Sequence, residues 1–290
     1  MKSNWLIGLV ALTCLFSGSY LVWKSIDNIN KVQAESKSVP VKGPTLEELQ
    51  RKQPGDGVEP LKIDPSKFQH REISIYYVPH PDDEILTFGV PIRNDIQSGR
   101  VVFLILLSHG ESTGAIDKVS RLAKKKLTPK QIGEARVLEF RDAARSLGVE
   151  EPFYHIYNMP GGKYQHDVIQ NIALYFEHNF PSVIHNTMSE EDVLSDHHIP
   201  AKVIGALQKE GKVKQFQTYS SVYMDRISKK KRDGYKVYLI SPHDKESLDQ
   251  AIHAYKIWNP TTGRYAIGNH SVSDQFRALQ QDYYARRSPN

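Results

Sequence analysis

Five consecutive positions of this chain, His80-Pro81-Asp82-Asp83-Glu84, hold one imidazole and three carboxylates. Histidine nitrogens and carboxylate oxygens are ordinary protein ligands of zinc and related divalent cations, and a carboxylate left over beside a metal is free to move a proton. The stretch follows an apolar, β-branched run, and its proline followed by aspartates is helix-start chemistry. At such a strand-to-helix junction His80 and Asp83, three residues apart, can face one point, and Asp82 is left for another task. The plainer alternative is an aspartate N-cap after a proline turn, with His80 packed or solvated. A second junction weighs against it. Asp196-His197-His198 lies between a strand-like run at 182–187 and a helical pattern from Ile199, and offers a third ligand. Open α/β sheets bind ligands beyond the carboxyl ends of their strands, so two such junctions can converge on one pocket, the layout of a metal-dependent hydrolase.

The elements that must position these residues follow from periodicity. Ile73, Ile75 and Tyr77 alternate as in a strand, 101–107 is an apolar run typical of a strand covered on both faces, and 153–157 reads as a third strand. The loop 108–114 should line the pocket. Thr128-Pro129-Lys130-Gln131 combines an N-cap, a proline at the first helical position and a capping-box glutamine, with Gly148 as the stop. The helix between carries Arg136 and Glu139, and Arg136 is either a surface charge paired with Glu139 or a group reaching the active face. Helices are also expected at 167–178, about 245–258 and 272–286, with strands at 216–224 and 235–240. The alternation predicts an α/β fold: a Rossmann-like, mostly parallel sheet with helices on both faces.

The His80-to-Glu84 stretch with its preceding proline resembles the first signature of the LmbE/PIG-L family of zinc-dependent N-deacetylases, which act on N-acetylglucosamine-type substrates. Glu134 to Glu139 with the Leu147-Gly148-Val149 ending is similar to the family's Arg/Glu helix, and the Asp196-His197 pair to its second signature. The resemblance spans about 72–207. It implies zinc, or another divalent metal, on His80, Asp83 and His197, with Asp82 as general base for water attacking an acetamide. It also implies Arg136, Asp196 and His198 as substrate-binding or supporting groups. Asp196 is alternatively the N-cap of the following helix. One departure stands out: Leu194 occupies the position of the first histidine of the second signature, which in the family assists protonation or oxyanion stabilisation and is not a ligand. His198, His185 and an aromatic hydroxyl are the candidates for that task. Competing readings are an amidase acting on a larger conjugate, and an inactive metal-holding carbohydrate-binding protein.

The chain's 290 residues, 39% hydrophobic, suffice for a packed body. Its net charge of +5 draws on Lys124-Lys125-Lys126 and Lys229-Lys230-Lys231-Arg232. Such runs are solvated loops or attract an anionic polymer or membrane surface; with no aromatic interleaving or nucleic-acid motif, nucleic acid is not expected as a partner. Residues 5–23 carry no charge, close to the roughly 20 residues that span hydrocarbon. The expected organisation is a signal-anchor at 1–24, a linker at 25–70 and a deacetylase-like domain at 71–290. That anchor places the protein on a membrane with its catalytic body outside the cytoplasm; an uncleaved anchor is favoured over a cleaved signal peptide. The single cysteine, Cys14, lies in the apolar segment, which excludes disulfides and thiolate ligands from the body.

Overall fold

The computed structural model describes residues 64–228 and 233–289. The expected anchor and most of the linker therefore lie outside the described residues. Within them, no helix is long and apolar enough to cross a membrane.

In chain order the elements are β1 (Ile73–Val78), α1 (Asp83–Leu86), α2 (Gly89–Gln97), β2 (Val101–Leu106), α3 (Ile116–Leu122), α4 (Pro129–Ser146), β3 (Tyr154–Ile156) and α5 (His166–Asn179). There follow β4 (Val183–Met188), α6 (Ser195–Lys209), β5 (Gln215–Ser220), a π-helical turn (Tyr223–Ile227), β6 (Tyr235–Tyr238) and α7 (Asp244–Ala254). The short strands β7 (Trp258–Asn259) and β8 (Arg264–Tyr265), then α8 (Ile267–Gln281) and β9 (Tyr284–Arg287), complete the chain. The main sheet has the order β3-β2-β1-β4-β5-β9-β6. Its first five strands are parallel, and β9 pairs antiparallel with both β5 and β6.

Because successive strand residues face opposite sides, β1 and β2 feed two cores. Tyr76, Val78, Leu104 and Leu106 pack with side chains of α2, α4, α7 and α8, including Phe140, Leu248 and Phe276. Ile73, Ile75, Tyr77, Phe103 and Ile105 pack on the other side with Ile172 and Phe176 of α5 and Ile204 of α6. A β1–β2 sheet buried on both sides explains why the sequence there shows runs rather than polar alternation. The chain moves outward from β1 through β2 to β3, then returns to place β4 on the other side of β1. This reversal leaves a crevice beyond the carboxyl ends of β1 and β4, where both chemistry-bearing junctions lie.

The α4 start is as expected: Thr128 Oγ1 accepts from the Gln131 N–H at 3.2 Å, and Gln131 Oε1 accepts from the Thr128 N–H at 3.0 Å. Three expectations need correction. The strand expected to continue to Met224 ends at Ser220 and gives way to the π-helical turn. The helix expected over 272–286 instead starts at Ile267, is kinked at Val272 and stops at Gln281, and the terminal residues form β9. Pairing with β5 and β6 supplies β9 with a ladder and buries Tyr284 and Ala285, which outweighs the helical spacing of their neighbours. Third, the helix α3 was not foreseen.

Candidate metal and active site

The turn after β1 is held by its neighbours. The Pro79 carbonyl accepts from Ser108 Oγ at 2.9 Å and from the Tyr164 hydroxyl at 2.8 Å. Asp82 takes φ 114°, a left-handed value that non-glycine residues rarely adopt, and heads α1 without a side-chain cap. Its N–H donates to Glu84 Oε2 at 3.0 Å, and the His80 N–H donates to Asp83 Oδ2 at 3.1 Å. Backbone strain of this kind persists where the surroundings over-determine it, and such places cluster at functional sites. Glu84 is fully buried and accepts the Tyr255 hydroxyl. Burial lifts its pKa to about 8.

His80 Nδ1, Asp83 Oδ2 and His197 Nε2 form a triangle with sides of 3.1, 3.4 and 3.5 Å. Three tetrahedral ligand atoms at zinc bond lengths stand about 3.4 Å apart, so the three donors fit a shared divalent cation. Asp196 also meets this cluster: His80, Asp196 and His197 offer atoms within 4.8 Å of one another. Its Oδ2, however, lies 2.9 Å from His80 Nε2, the ring nitrogen opposite the one in the triangle. That contact fixes the ring and frees Nδ1 as a donor, which makes Asp196 the orienting partner and Asp83 the better third donor.

His197 sits in the first turn of α6, whose N-cap position is Leu194 with no side-chain cap. Its Nδ1 lies 3.1 Å from Asp192 Oδ1, and Asp192 in turn accepts from the Ser221 hydroxyl and the Leu194 N–H. Each imidazole thus carries a carboxylate on its outer nitrogen: Asp196 behind His80, Asp192 behind His197. Asp192 was missed from sequence, its only signal being an acid in the loop just before the Asp196-His197 pair.

Asp82 is 6% exposed and meets a single guanidinium, with Arg136 Nη2 2.9 Å from its Oδ2. Arg136 also donates to the carbonyls of Pro81 and Gly110. Gly110 stands at φ +64°, and a Cβ there would come 2.3 Å from Arg136 Nη1, so only glycine admits the arginine. Of the two readings of Arg136, the structure gives the reach to the active face. Glu139 does not pair with it; that carboxylate accepts the N–H groups of Ile267 and Gly268 at the start of α8.

Burial alone would discharge these groups, yet their mutual contacts resist it. Burial pulls His80 down, but Asp196 and Asp83 outweigh it and lift the imidazole to about 9. Burial works against Asp196 as well, and the His80 contact brings it to about 2. Burial raises Asp82 to about 6, opposed chiefly by Arg136. Four aspartates around two imidazoles and one guanidinium are an environment that favours an added positive charge.

These groups line a cavity of about 460 Å³. The loop residues Gly110, Ser112, Thr113 and Gly114 border it, as expected of the turn after β2, and Ser271 and Gln275 of α8 close the far side. Its rim carries three exposed apolar side chains, Val193, Leu194 and Tyr223. His198 is not among the lining residues and bonds the Asp192 carbonyl; His185 is buried in β4 against Tyr77 and Glu177. Of the candidates to replace the histidine missing at Leu194, the aromatic Tyr223 borders the cavity, and among the described residues the Tyr164 hydroxyl also lies 3.4 Å from His80 Nε2. A larger groove of about 900 Å³ between α4 and α7 contains none of the clustered ligands.

No curated protein matches the chain significantly. Solved structures do. A deacetylase triple mutant (Orf2*T) from the teicoplanin biosynthetic pathway is 18% identical, with a TM-score of 0.53 over 75% of this chain and 96% of that one. The A40926 pseudoaglycone deacetylase Dbv21 is 15% identical, with a TM-score of 0.55 over 77% of this chain and 97% of that one. GalB, the 4-carboxy-2-hydroxymuconate hydratase of Pseudomonas putida KT2440, is also 15% identical, with a TM-score of 0.51 over 76% and 97%. At these identities the likeness establishes the fold, and a hydratase beside two deacetylases shows that the fold alone does not choose the reaction. The sequence itself is more specific: the family model described as GlcNAc-PI de-N-acetylase matches residues 75–207, the region that holds β1, α4 and the His197 turn. Over that region the chain is similar to the PIG-L family.

Proposed function

We propose that this protein is a metal-dependent hydrolase that removes the N-acetyl group from an N-acetylglucosamine-type sugar or glycoconjugate. The observation that carries the reading is the triangle of His80 Nδ1, Asp83 Oδ2 and His197 Nε2 beside the buried, non-ligating carboxylate of Asp82. The similarity of residues 75–207 to the GlcNAc-PI de-N-acetylase family model supports the class of bond cleaved.

His80, Asp83 and His197 would hold the metal, zinc by the chemistry of two nitrogens and one oxygen. When bound, it supplies Lewis-acid polarisation of the acyl oxygen and eases deprotonation of water. Asp82 takes the proton from the attacking water and returns it to the departing amine. Arg136 holds that carboxylate in place from one side, and the strained turn fixes it from the other. Asp192 and Asp196 keep the two imidazoles in the tautomers that present His197 Nε2 and His80 Nδ1. Leu194 brings no proton to the site, so the Asp82 carboxyl serves both halves of the reaction. Tyr223 at the rim offers a flat apolar face of the kind that packs on a sugar ring. Membrane attachment through residues 1–24, with the body outside the cytoplasm, remains part of this proposal on the strength of the uncharged segment at 5–23.

The test is acetate release from N-acetylglucosamine oligomers by zinc-loaded full-length protein, compared with a panel of longer acyl amides. Acetate as the preferred product supports the reading. Preference for a longer acyl group would make it an amidase, and no hydrolysis of any amide would leave a binding protein.

A further inference from the structure

A basic groove follows the cavity-lining loop along the chain. Ser112 to Gly114 line the cavity, and Ile116, two residues on, opens α3 and lines a separate groove of about 590 Å³. The wall of that groove is Arg121, Lys124, Lys125 and Lys126, all exposed and none ion-paired with a described carboxylate. The segment between the two is fastened to α8: Thr113 Oγ1 is 3.2 Å from Ser271 Oγ, and Lys118 Nζ reaches the His270 carbonyl at 3.5 Å. From 117 to 130 the sequence places six cations against the single acid Asp117, a net +5 equal to that of the whole chain. Mutual repulsion disfavours such clustering on a surface that serves solubility alone, and its field gathers polyanions.

The backbone adds a second observation. The Lys125 N–H bonds the Ser120 carbonyl at 3.1 Å and the Lys124 N–H bonds that of Arg121 at 3.2 Å, the paired closure of a helix C-terminus. Lys124 then occupies the left-handed position, φ 50°, where glycine is the usual residue. The chain keeps a cation where backbone energetics favour glycine.

We propose that this groove is a binding tract for an anionic glycan strand whose N-acetylated sugar occupies the cavity. The inference rests on the deacetylase reading for the identity of that sugar. A basic groove whose wall starts two residues after the cavity-lining loop suits a chain leaving the site, and anionic groups along it (carboxylate, sulfate or phosphate) would meet the lysines in turn. A lipid surface is the poorer fit, since Leu122 is the only large exposed apolar side chain of α3, and interfacial helices present several.

The experiment measures binding of hyaluronan oligosaccharides and of neutral N-acetylglucosamine oligomers of equal length to the zinc-loaded full-length protein, at low and physiological salt. The variants are Lys124→Gly and the triple Lys124→Gly, Lys125→Gln, Lys126→Gln. We expect hyaluronan to bind about tenfold tighter than the neutral oligomer at low salt, an advantage that shrinks with added salt. The triple variant should lose that advantage while turning over the neutral oligomer normally, and Lys124→Gly should melt no lower than the parent because glycine suits the position. Equal affinity for both glycans, or a preference that survives in the triple variant, overturns the proposal. So does tighter, lysine-dependent binding to phosphatidylglycerol vesicles than to hyaluronan. Lysine-dependent hyaluronan binding without acetate release from any substrate supports the tract and defeats only the deacetylase reading.

Discussion

Replacing Asp82 with asparagine separates proton transfer from metal binding. Asparagine has nearly the same volume and tolerates left-handed backbone, so the turn at φ 114° survives the change. Its carbonyl oxygen can still accept from Arg136 Nη2, which also keeps the carbonyls of Gly110 and Pro81. What is lost is charge assistance in one buried hydrogen bond, worth about 1–2 kcal/mol of stability. The loss in turnover should be larger. A positioned general base contributes ~10²–10⁴-fold, equivalent to about 3–5 kcal/mol of barrier. Zinc content should be unchanged, because the triangle of donors does not include Asp82. The assay combines metal content, thermal melting and acetate-release kinetics under saturating zinc. A variant with kcat within a few-fold of the parent refutes the role given to Asp82, and loss of zinc refutes the division between base and ligands.

Asp192→Ala should weaken zinc affinity by about 10–100-fold, with much of the activity restored at saturating zinc; competition with a chelating dye reads the affinity directly. Leu194→His should raise kcat about tenfold or more, since it returns a proton-carrying side chain to the cavity rim; unchanged kinetics would mean Asp82 suffices for both proton transfers. Glu139→Ala should cost about 2–4 kcal/mol by stranding the buried N–H groups of Ile267 and Gly268, measured by urea unfolding. His155 supplies a pH test away from the site: burial lowers its pKa to about 4, while the unfolded chain titrates near 6.5. The unfolded state therefore binds more protons between those values, and stability falls as pH drops through that window, by about 3 kcal/mol in all. His155→Gln should flatten that acid limb in melting curves.

Much of the site was legible because its chemistry is concentrated in short segments. His80, Asp82 and Asp83 share one turn, and His197 shares another with Asp196, so strand-to-helix junctions sufficed to bring them together. The supporting carboxylates were less readable. Asp192 earns its place only through a contact with His197 that depends on how the loop after β4 folds. Glu84 and Glu139 look like ordinary helix acids in sequence, and only packing shows that they are buried against Tyr255 and the start of α8. His198 shares the imidazole of its neighbour but not its direction, a distinction set by rotation about the helix axis. At the fold level the parallel strands were legible from their apolar runs. The β9 strand was not, because its ladder comes from β5 and β6, far away in sequence.

The central claim is that three side chains from two junctions hold one catalytic divalent cation. Metal analysis of the purified full-length protein, paired with acetate release before and after chelation, tests it most directly. About one zinc per chain is predicted, with activity abolished by its removal, regained on its return, and metal lost in His80→Ala, Asp83→Ala and His197→Ala. Full metal content in those three variants, or acetate release that survives complete removal of the metal, would contradict it.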